Sequence, residues 1–492
     1  MNPSEAGTDA AGGLREERLA FSTRCFYGVG SISEGIHNSA FSAFLLFYYN
    51  QVLGLPGTLG GLAILLALVV DAVTDPLVGS ISDNFHSRWG RRHPFMYAAA
   101  LPMAACFFLL FNPPASLGQT ELFLWLTAFA VLVRVSMTLN LIPSNSMVAE
   151  MTPHYDERTS LVSYRFFFGW AGGIAMYQLA LRVFLAKTPE FGDGRYNADG
   201  YGGFALAGAI GIAAAILICA VGTHRLIPSL KPPPEKTPLT AGRFFGELRD
   251  VFGNRSYLML VFAGLFASIA GGFSDVVGLY VNSYFWGFSA QEIAFLGLAA
   301  IPGVLVAVSL ARPISERFDK KKTALGLAVF AILFGALPVL LRLVELMPPN
   351  GHPLLLYLIS GHSFLIVTTI IIIMIVLSSM VADTMDVGEL RTGKRQEGMY
   401  ASAVSFTGKA VSGIGGFLAG IALDLIAFPR TSVDGVAPIV AAEKVFALGL
   451  VVGPLLMVLW LCSLIFLSRY RITRERHAET LAELQRRRLE PG

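Results

Sequence analysis

Long stretches of apolar residues recur along the whole chain, each followed by a shorter polar segment. A helix of roughly 20 apolar residues is long enough to cross the hydrocarbon core of a bilayer. The pattern therefore predicts twelve membrane-spanning helices, several of them long enough to tilt. The predicted spans cover residues 22–53, 57–82, 94–113, 119–148, 158–187, 203–227, 256–286, 291–312, 323–345, 353–382, 397–428 and 439–470.

The composition agrees with a membrane protein. Of the 492 residues, 54% are hydrophobic and only 14% are charged, and the mean hydropathy is +0.60. A soluble domain carries about 25% charged residues, so this chain has too few to cover a water-facing surface. Residues 1–21 lack the pattern of a secretory signal peptide and predict a polar tail. Four scattered cysteines are expected to be small buried hydrophobic residues, not disulfides or metal ligands: Cys25, Cys106, Cys219 and Cys462.

Basic residues follow the even-numbered spans, whereas the loops after the odd-numbered spans nearly lack them. Arg88, Arg91 and Arg92 follow span 2, for example, but the uncharged sequence LGLPGT joins spans 1 and 2. Lysine and arginine favour cytoplasmic loops. Both termini are therefore predicted to be cytoplasmic, in the plasma membrane or, for a bacterial source, the inner membrane.

The longest interior polar segment, residues 228–255, contains the sequence KPPPEK. Proline-rich sequence interrupts helices and forms a stiff linker. The segment is predicted to be a cytoplasmic linker between two six-helix bundles, residues 22–227 and 256–470. A basic cytoplasmic tail, residues 471–492, is expected to follow the second bundle.

An internal repeat relates the two halves. MVAEMTPHYDERT at 147–159 resembles MVADTMDVGELRT at 380–392, which lies 233 residues further on, and the same spacing takes Asp83 to Glu316. Repeats in the same orientation are typical of the major facilitator fold, an all-α membrane architecture with its substrate site between the halves. Opposite charges near the cytoplasmic helix ends can pair when that face closes. We interpret these residues as gating residues: Asp83, Arg91, Glu150, Arg158, Glu316, Asp383 and Arg391.

Two carboxylates stand inside the second span, in the sequence DAVTDPLVG. Asp71 and Asp75 are four residues apart, which places them on one face of a helix. Neighbouring carboxylates repel each other, so a proton or a small cation between them is favourable. The residues leave the choice between Na⁺ and H⁺ open. The alternative is that the pair caps the helix or binds Arg88 or Arg91.

Other polar residues within the spans are candidates for substrate binding, because an ionisable side chain in a membrane usually faces the bundle interior and marks function. The candidates are Glu34, Asn38, Asn140, Arg165, Asp275, His362 and Lys409. For His362 the alternative is a buried histidine with its hydrogen bonds satisfied. Arg165 could instead extend to the membrane surface, whereas Lys409 lies too far inside its span to do so easily.

The sequence contains no GxxxxGK[ST] loop, no HExxH motif and no cluster of cysteine and histidine. These absences argue against an ATP-driven pump and against a metal-dependent hydrolase. We therefore expect a protein that is not an enzyme and has no cofactor apart from a coupling ion. The expected partners are a small-molecule substrate, the coupling cation and membrane lipid, without nucleic acid, and the expected state is a monomer.

The stretch DAVTDPLVGSISDNFHSRWGRRHPF resembles the signature of the glycoside–pentoside–hexuronide:cation symporter family, as do YGVGS, ERTSLVSYRFF and GKRQEGMYASAVSFTGK. This resemblance covers the whole chain. It implies a cation site at Asp71, Asp75 and Thr138, and functional roles for Arg165 and Lys409. The family's melibiose carrier has two sugar-binding aspartates whose positions are occupied here by glycine and leucine, Gly35 and Leu141.

Together these features predict a secondary active transporter that couples the entry of Na⁺ or H⁺ to the uptake of a small organic solute by alternating access. A sugar or glycoside is the first expectation for the solute. The loss of the sugar-binding aspartates keeps an amphiphile such as a lysophospholipid as an alternative. A receptor that does not transport, built on a transporter fold, is a third reading.

Overall fold

The computed structural model describes residues 19–152, 155–230, 253–393, 397–430 and 440–489, apart from a few side chains inside these ranges. Within them the regular structure is helical, without a β-strand. Helical segments α1–α12 correspond to the predicted spans, and α13 follows them. The bounds are α1 21–52, α2 Gly57–Asn84, α3 His93–Leu110, α4 Gln119–Met151, α5 155–184, α6 Ala198–His224, α7 Arg255–Phe285, α8 290–318, α9 Lys320–Leu343, α10 Pro353–Thr392, α11 Glu397–Leu425, α12 Ala442–Ser468 and α13 Arg474–Leu489.

Nine helices in the described part of the chain are long and apolar enough to cross a membrane. The other predicted spans are also helical. Span α1 consists of short pieces, because the helix Phe21–Val29 ends at a turn and π-helical turns follow at Ala40–Phe44 and Tyr48–Val52. In α11 the apolar part is the shorter stretch Val411–Leu425.

The two halves repeat each other in structure. In the first half α1 packs on α5 and α6, α2 packs on α4, and α3 packs on α4 and α6. The equivalent helices of the second half make the same pairs: α7 with α11 and α12, α8 with α10, and α9 with α10 and α12. The π-helical turns Tyr48–Val52 and Val281–Phe285 begin 233 residues apart, the spacing of the sequence repeat. The predicted major facilitator fold is therefore confirmed.

The two ends of the bundle differ in charge. We call the end with the loops α2–α3, α8–α9 and α10–α11 the basic face, because Arg88, Arg91 and Arg92 and the run from Lys320 to Lys322 lie there. The other end, with the loops α1–α2, α5–α6, α7–α8 and α11–α12, is the opposite face. Residues 1–18 of the predicted N-terminal tail and residues 231–252 of the predicted linker lie outside the described ranges.

Glycines bring the halves into backbone contact near the opposite face. A Cβ atom on Gly420 of α11 would lie 2.1 Å from the carbonyl oxygen of Gly57 on α2, and one on Gly61 would lie 2.9 Å from the Cα of Phe417. Distances this short leave no room for a side chain. The contact continues inward to Gly413, where an added Cβ would lie 2.6 Å from the Leu68 side chain. The α2–α11 contact therefore depends on these glycines.

A helix occupies most of the predicted C-terminal tail. The helix α13 packs on α10 at the basic face, where Arg487 donates a hydrogen bond to the Leu390 carbonyl (2.9 Å) and His477 Nε2 lies 2.9 Å from Asp386 Oδ2. Its acidic residue Glu483 contacts Arg486 and Arg487, and the hydrogen bond from Arg486 lowers the pKa of that carboxyl group. The tail thus covers part of the second half of the bundle.

Candidate cation site and central cavity

Three side-chain oxygens converge at the middle of the first half. Asp71 is buried in α2, and the hydroxyl of Thr138 on α4 lies 2.9 Å from Asp71 Oδ1 and 3.0 Å from Asp75 Oδ1. A hydroxyl group has one proton, so it can donate to only one of the two carboxylates at a time. Hard cations are bound by carboxylate and other oxygen ligands, and this cluster supplies three of them.

The structure disfavours the other interpretation of the acidic pair. The helix α2 continues to Asn84, well beyond Asp75, so neither carboxylate caps its end. Arg91, one of the proposed partners, instead contacts Glu150 at 3.0 Å. The pair lies at mid-bundle, where an uncompensated charge is costly.

An arginine that the sequence interpretation overlooked completes the cluster. Arg134 Nη1 donates to Asp71 Oδ2 at 3.2 Å, and its guanidinium carbon lies 5.4 Å from the centroid of the Phe41 ring. Arg134 is close to the midpoint of α4. Its position in a long apolar span was a visible signal, because an intramembrane charge marks a functional site by default.

A central cavity of about 1030 Å³ lies between the halves, next to this cluster. Residues from both halves line it, and it reaches toward the basic face along Asn145, Val148 and Val162. At its other end Gln178 Nε2 donates to the Ala294 carbonyl across the halves, at 2.8 Å. The cavity is therefore closed toward the opposite face and extends toward the basic face.

Four of the predicted substrate-binding residues line the cavity: Glu34, Asn38, Arg165 and Asp275. The guanidinium of Arg165 donates to the hydroxyl groups of Ser144 (3.0 Å) and Tyr27 (3.3 Å), and it lies 3.9 Å from Glu34 Oε2. These contacts hold Arg165 inside the bundle, away from the membrane surface.

The other predicted substrate-binding residues lie elsewhere. His362 Nε2 is 3.0 Å from the Phe334 carbonyl, and the two rings stack with centroids 5.1 Å apart. Asn140 is buried in α4, and its Oδ1 has no hydrogen-bond partner among the described residues. Neither residue is found among the described residues that line the cavity. The side chain of Lys409 lies outside the described part of the structure.

Three of the four predicted gating residues of the first half, Asp83, Arg91 and Glu150, belong to one charge cluster at the basic face. Arg92, which is buried, donates to Glu150 Oε1 (3.0 Å), to the Ser82 hydroxyl (2.7 Å) and to Asp83 Oδ1 (2.5 Å). Arg91 adds a 3.0 Å contact to the same oxygen of Glu150. The central cation of this cluster is thus Arg92, which sequence reasoning had not selected.

Arg158 donates to the Thr152 carbonyl at 2.9 Å, at the connection between α4 and α5. In the second half Lys320 holds both carboxylate oxygens of Asp383, at 2.7 and 2.8 Å. Arg391 is exposed near the end of α10, and the Glu316 side chain lies outside the described set. Among the described residues, the ion pairs of Glu150 and Asp383 stay within their own halves, as expected if the basic face is open in this conformation.

Replacing Arg92 by glutamine should lower the free energy of unfolding by about 3 kcal/mol, because one partner of a buried ion pair is lost. The thermal unfolding midpoint of the purified protein in detergent measures the effect. Arg88→Gln is the matched control, since Arg88 is exposed on the same loop. Equal midpoints for Arg92→Gln and Arg88→Gln would contradict the structural role given to the cluster.

Polar side chains that no sequence pattern revealed close the opposite face. Asp424, at the end of α11, accepts hydrogen bonds from the backbone N–H groups of Gly57 (3.1 Å) and Thr58 (2.7 Å). It therefore caps α2 from the other half, and a carboxylate at a helix N-terminus is favourable. Buried Arg195 contacts Ser283 at 2.5 Å and the Phe288 carbonyl at 3.1 Å.

Tyrosine hydroxyls extend this closure. Tyr196 bonds to Tyr284, which donates to Gln51 Oε1, so the α5–α6 loop, α7 and α1 are joined in one chain of hydrogen bonds. Burial raises the pKa of Tyr196, which keeps its hydroxyl protonated across the physiological range. We call the Gln51, Asp424, Arg195, Tyr196 and Tyr284 contacts, together with the α2–α11 glycine contact, the opposite-face gate.

Comparisons with known proteins agree with the architecture described above. A family model described as MFS/sugar transport protein matches residues 26–474. The isoprimeverose transporter of Lactiplantibacillus pentosus is 26% identical over 433 residues, which cover 85% of this chain and 82% of that protein. The inner membrane symporter YicJ of Escherichia coli (strain K12) is 24% identical over 415 residues, covering 83% of each chain.

Among solved structures, the inward open conformation of the xylose transporter XylE from E. coli has a TM-score of 0.58 at 14% identity, covering 94% of this chain and 99% of that one. At this identity the likeness shows a shared fold. Together with the repeat of the two halves, the family match over nearly the whole chain shows that this protein belongs to the MFS/sugar transport protein family of membrane symporters.

Proposed function

We propose that this symporter couples the entry of Na⁺ or H⁺, bound at Asp71, Asp75 and Thr138, to the import of a sugar or glycoside held in the central cavity. One observation carries the proposal: three oxygens converge at mid-bundle, and Arg134 connects them to the cavity wall. Family membership makes the chain a multi-pass membrane transporter and not an enzyme. The cation and the solute are the proposed part.

The cavity supports a polar solute with an apolar face. Glu34, Asn38 and Asp275 supply hydrogen-bonding groups, and Arg165 supplies a cation. The ring of Trp170 also lines the cavity, and 58% of this side chain is exposed. Small-molecule sites combine a few polar groups with aromatic walls in volumes of about 300–1,000 Å³. A mono- or disaccharide matches both requirements.

The closed opposite face and the basic-side cavity favour an alternating-access cycle. In our proposal the basic face is cytoplasmic, both termini lie there, and the membrane is the bacterial inner membrane. The similarity to the inner membrane symporter YicJ and the basic loops support this placement. The conformation described is then the inward-facing one. Cation and solute would enter from outside after the opposite-face gate opens and the basic face closes.

Uptake into proteoliposomes tests the proposal. Radiolabelled mono- and disaccharides are offered under an inward Na⁺ gradient, under an inward proton gradient, and with choline replacing Na⁺ at fixed pH. Accumulation that depends on one gradient is expected and identifies the cation. A lysophospholipid in the same panel distinguishes an amphiphile carrier. No accumulation of any solute under either gradient would favour the receptor interpretation.

Replacing Trp170 by alanine should raise the sugar concentration for half-maximal uptake about tenfold, which corresponds to about 1.4 kcal/mol of binding. The reason is the loss of an aromatic face against which a sugar ring packs. Trp170→Phe should retain most of the affinity. Trp460→Ala on α12 is the control, and equal half-saturation in both alanine variants would remove Trp170 from the substrate site.

A further inference from the structure

Arg134 occupies an unusual position between the two proposed binding sites. Its guanidinium contacts Asp71 in the cation cluster, and the same side chain lines the central cavity. The exposed fraction of the side chain is only 12%. No role for this residue follows from the acidic pair itself or from the family resemblance described above.

The guanidinium is held less completely than a structural arginine would be. Among the described residues its polar contact is the 3.2 Å hydrogen bond from Nη1 to Asp71 Oδ2, and Nε is buried without a hydrogen-bond partner there. The ring of Phe41 faces the guanidinium carbon at 5.4 Å. For comparison, Arg92 contacts three different side chains. Arg134 therefore has N–H donors that are not used by the described residues.

The charges of the cluster indicate what Arg134 does there. Among the described side chains, the guanidinium of Arg134 contacts Asp71, and the Thr138 hydroxyl joins Asp71 to the second carboxylate, Asp75. A guanidinium cannot be deprotonated in a protein. It therefore opposes every cation that approaches Asp71, because charges at such distances interact strongly in a site of low polarity.

We propose that Arg134 is a tethered counter-cation that competes with the coupling ion for Asp71. When the site is empty, the guanidinium neutralises part of its charge and permits the empty carrier to reorient. When the ion binds, the contact between Asp71 and Arg134 weakens, and the N–H donors of Arg134 become available to the solute in the cavity. This linkage of ion and solute binding rests on the proposed function, whereas the competition itself requires only the geometry at Asp71.

Na⁺ titration of the purified full-length protein tests the competition without any transport. The thermal unfolding midpoint is measured in detergent while NaCl replaces choline chloride at constant ionic strength and pH. A ligand that binds the folded state raises this midpoint. In Arg134→Gln the Na⁺ concentration for half-maximal stabilisation should fall about tenfold or more, equivalent to about 1.4 kcal/mol. Arg134→Lys, which keeps the charge, should remain near the wild type.

Two controls localise the effect. Arg182→Gln removes an exposed arginine of α5 and should leave the Na⁺ response unchanged. The double variant Asp71→Asn with Arg134→Gln should lose the increase in apparent Na⁺ affinity, because the carboxylate that Arg134 neutralises is gone. Arg134→Met provides a second neutral side chain of similar length if the glutamine variant unfolds.

The result that overturns the proposal is a folded Arg134→Gln or Arg134→Met protein whose Na⁺ response equals or falls below that of the wild type. A wild type that is coupled to protons could lack a Na⁺ response. The neutral variants Arg134→Gln and Arg134→Met should then acquire one, and its absence in both variants would also overturn the proposal. The proposed symport fails separately, if no ion gradient drives uptake in proteoliposomes. The two failures are therefore distinguishable.

Discussion

Asp71→Asn should abolish cation-driven accumulation, reducing the initial rate of uptake under the gradient by about 100-fold, equivalent to about 2.8 kcal/mol. Asp71 Oδ1 is one of the three converging oxygens, and the amide removes the negative charge that attracts the cation. Asp75→Asn should have a comparable effect, because Asp75 contributes the second carboxylate. The cavity is left intact, so the solute should still equilibrate without accumulating.

Asp199→Asn is the matched control for these variants. Asp199 is exposed in the first turn of α6, at the opposite face and far from the cation cluster. It should retain wild-type uptake under the gradient. Normal accumulation in both Asp71→Asn and Asp75→Asn, at wild-type protein levels, would show that the coupling ion binds elsewhere.

Gly420→Ala should open the opposite-face gate. The added Cβ would lie 2.1 Å from the Gly57 carbonyl oxygen, so α2 and α11 must separate for the side chain to fit. The population should move away from the conformation described here, since the substitution destabilises this state relative to one in which the two helices are apart. About 1.4 kcal/mol of strain changes the ratio of the two states tenfold.

Cysteine accessibility measures this shift. A single cysteine at Ser42, which lines the cavity, is introduced after the native cysteines are replaced. A membrane-impermeant maleimide is then added to right-side-out and to inside-out vesicles. Gly420→Ala should increase labelling from the opposite-face side several-fold and decrease it from the basic side.

Gly278→Ala controls for the change in helix propensity, because an added Cβ on this α7 glycine meets nothing within 4 Å. Alanine stabilises a helix relative to glycine at both positions. Only the clash at the α2–α11 contact distinguishes the two variants. Identical labelling of both would show that the glycine contact does not control the gate.

The opposite-face gate also explains a difference between sequence and structure. The sequence motifs drew attention to charged turns at the basic face, because their residues repeat at a fixed spacing. In the conformation described, the contacts that join the halves lie at the other end, through Asp424, Arg195 and Gln51. These residues come from different loops and share no motif. Their role depends on which face is closed.

The resemblance to the glycoside–pentoside–hexuronide:cation symporters, stated from short motifs, is confirmed by the family match and by related transporters. The site residues stay predictions, although the structure brings several of them together. Asp71, Asp75 and Thr138 meet within hydrogen-bond distance. Arg92 shows the limit of sequence reasoning: it joins the predicted Arg91 at Glu150 and also contacts Asp83, and two adjacent arginines differ only in the direction that the chain gives their side chains.

The sequence alone determined the helical spans α1–α12, their repeat and the placement of both carboxylates on one helix face. Those properties follow from helix periodicity and from the apolar length that a bilayer requires. Only the tertiary structure decided that Arg134 shares Asp71 with the cation site, that Asp424 caps α2 from the other half, and that the opposite face is closed. Each depends on helices distant in sequence, whose relative positions change as the carrier reorients.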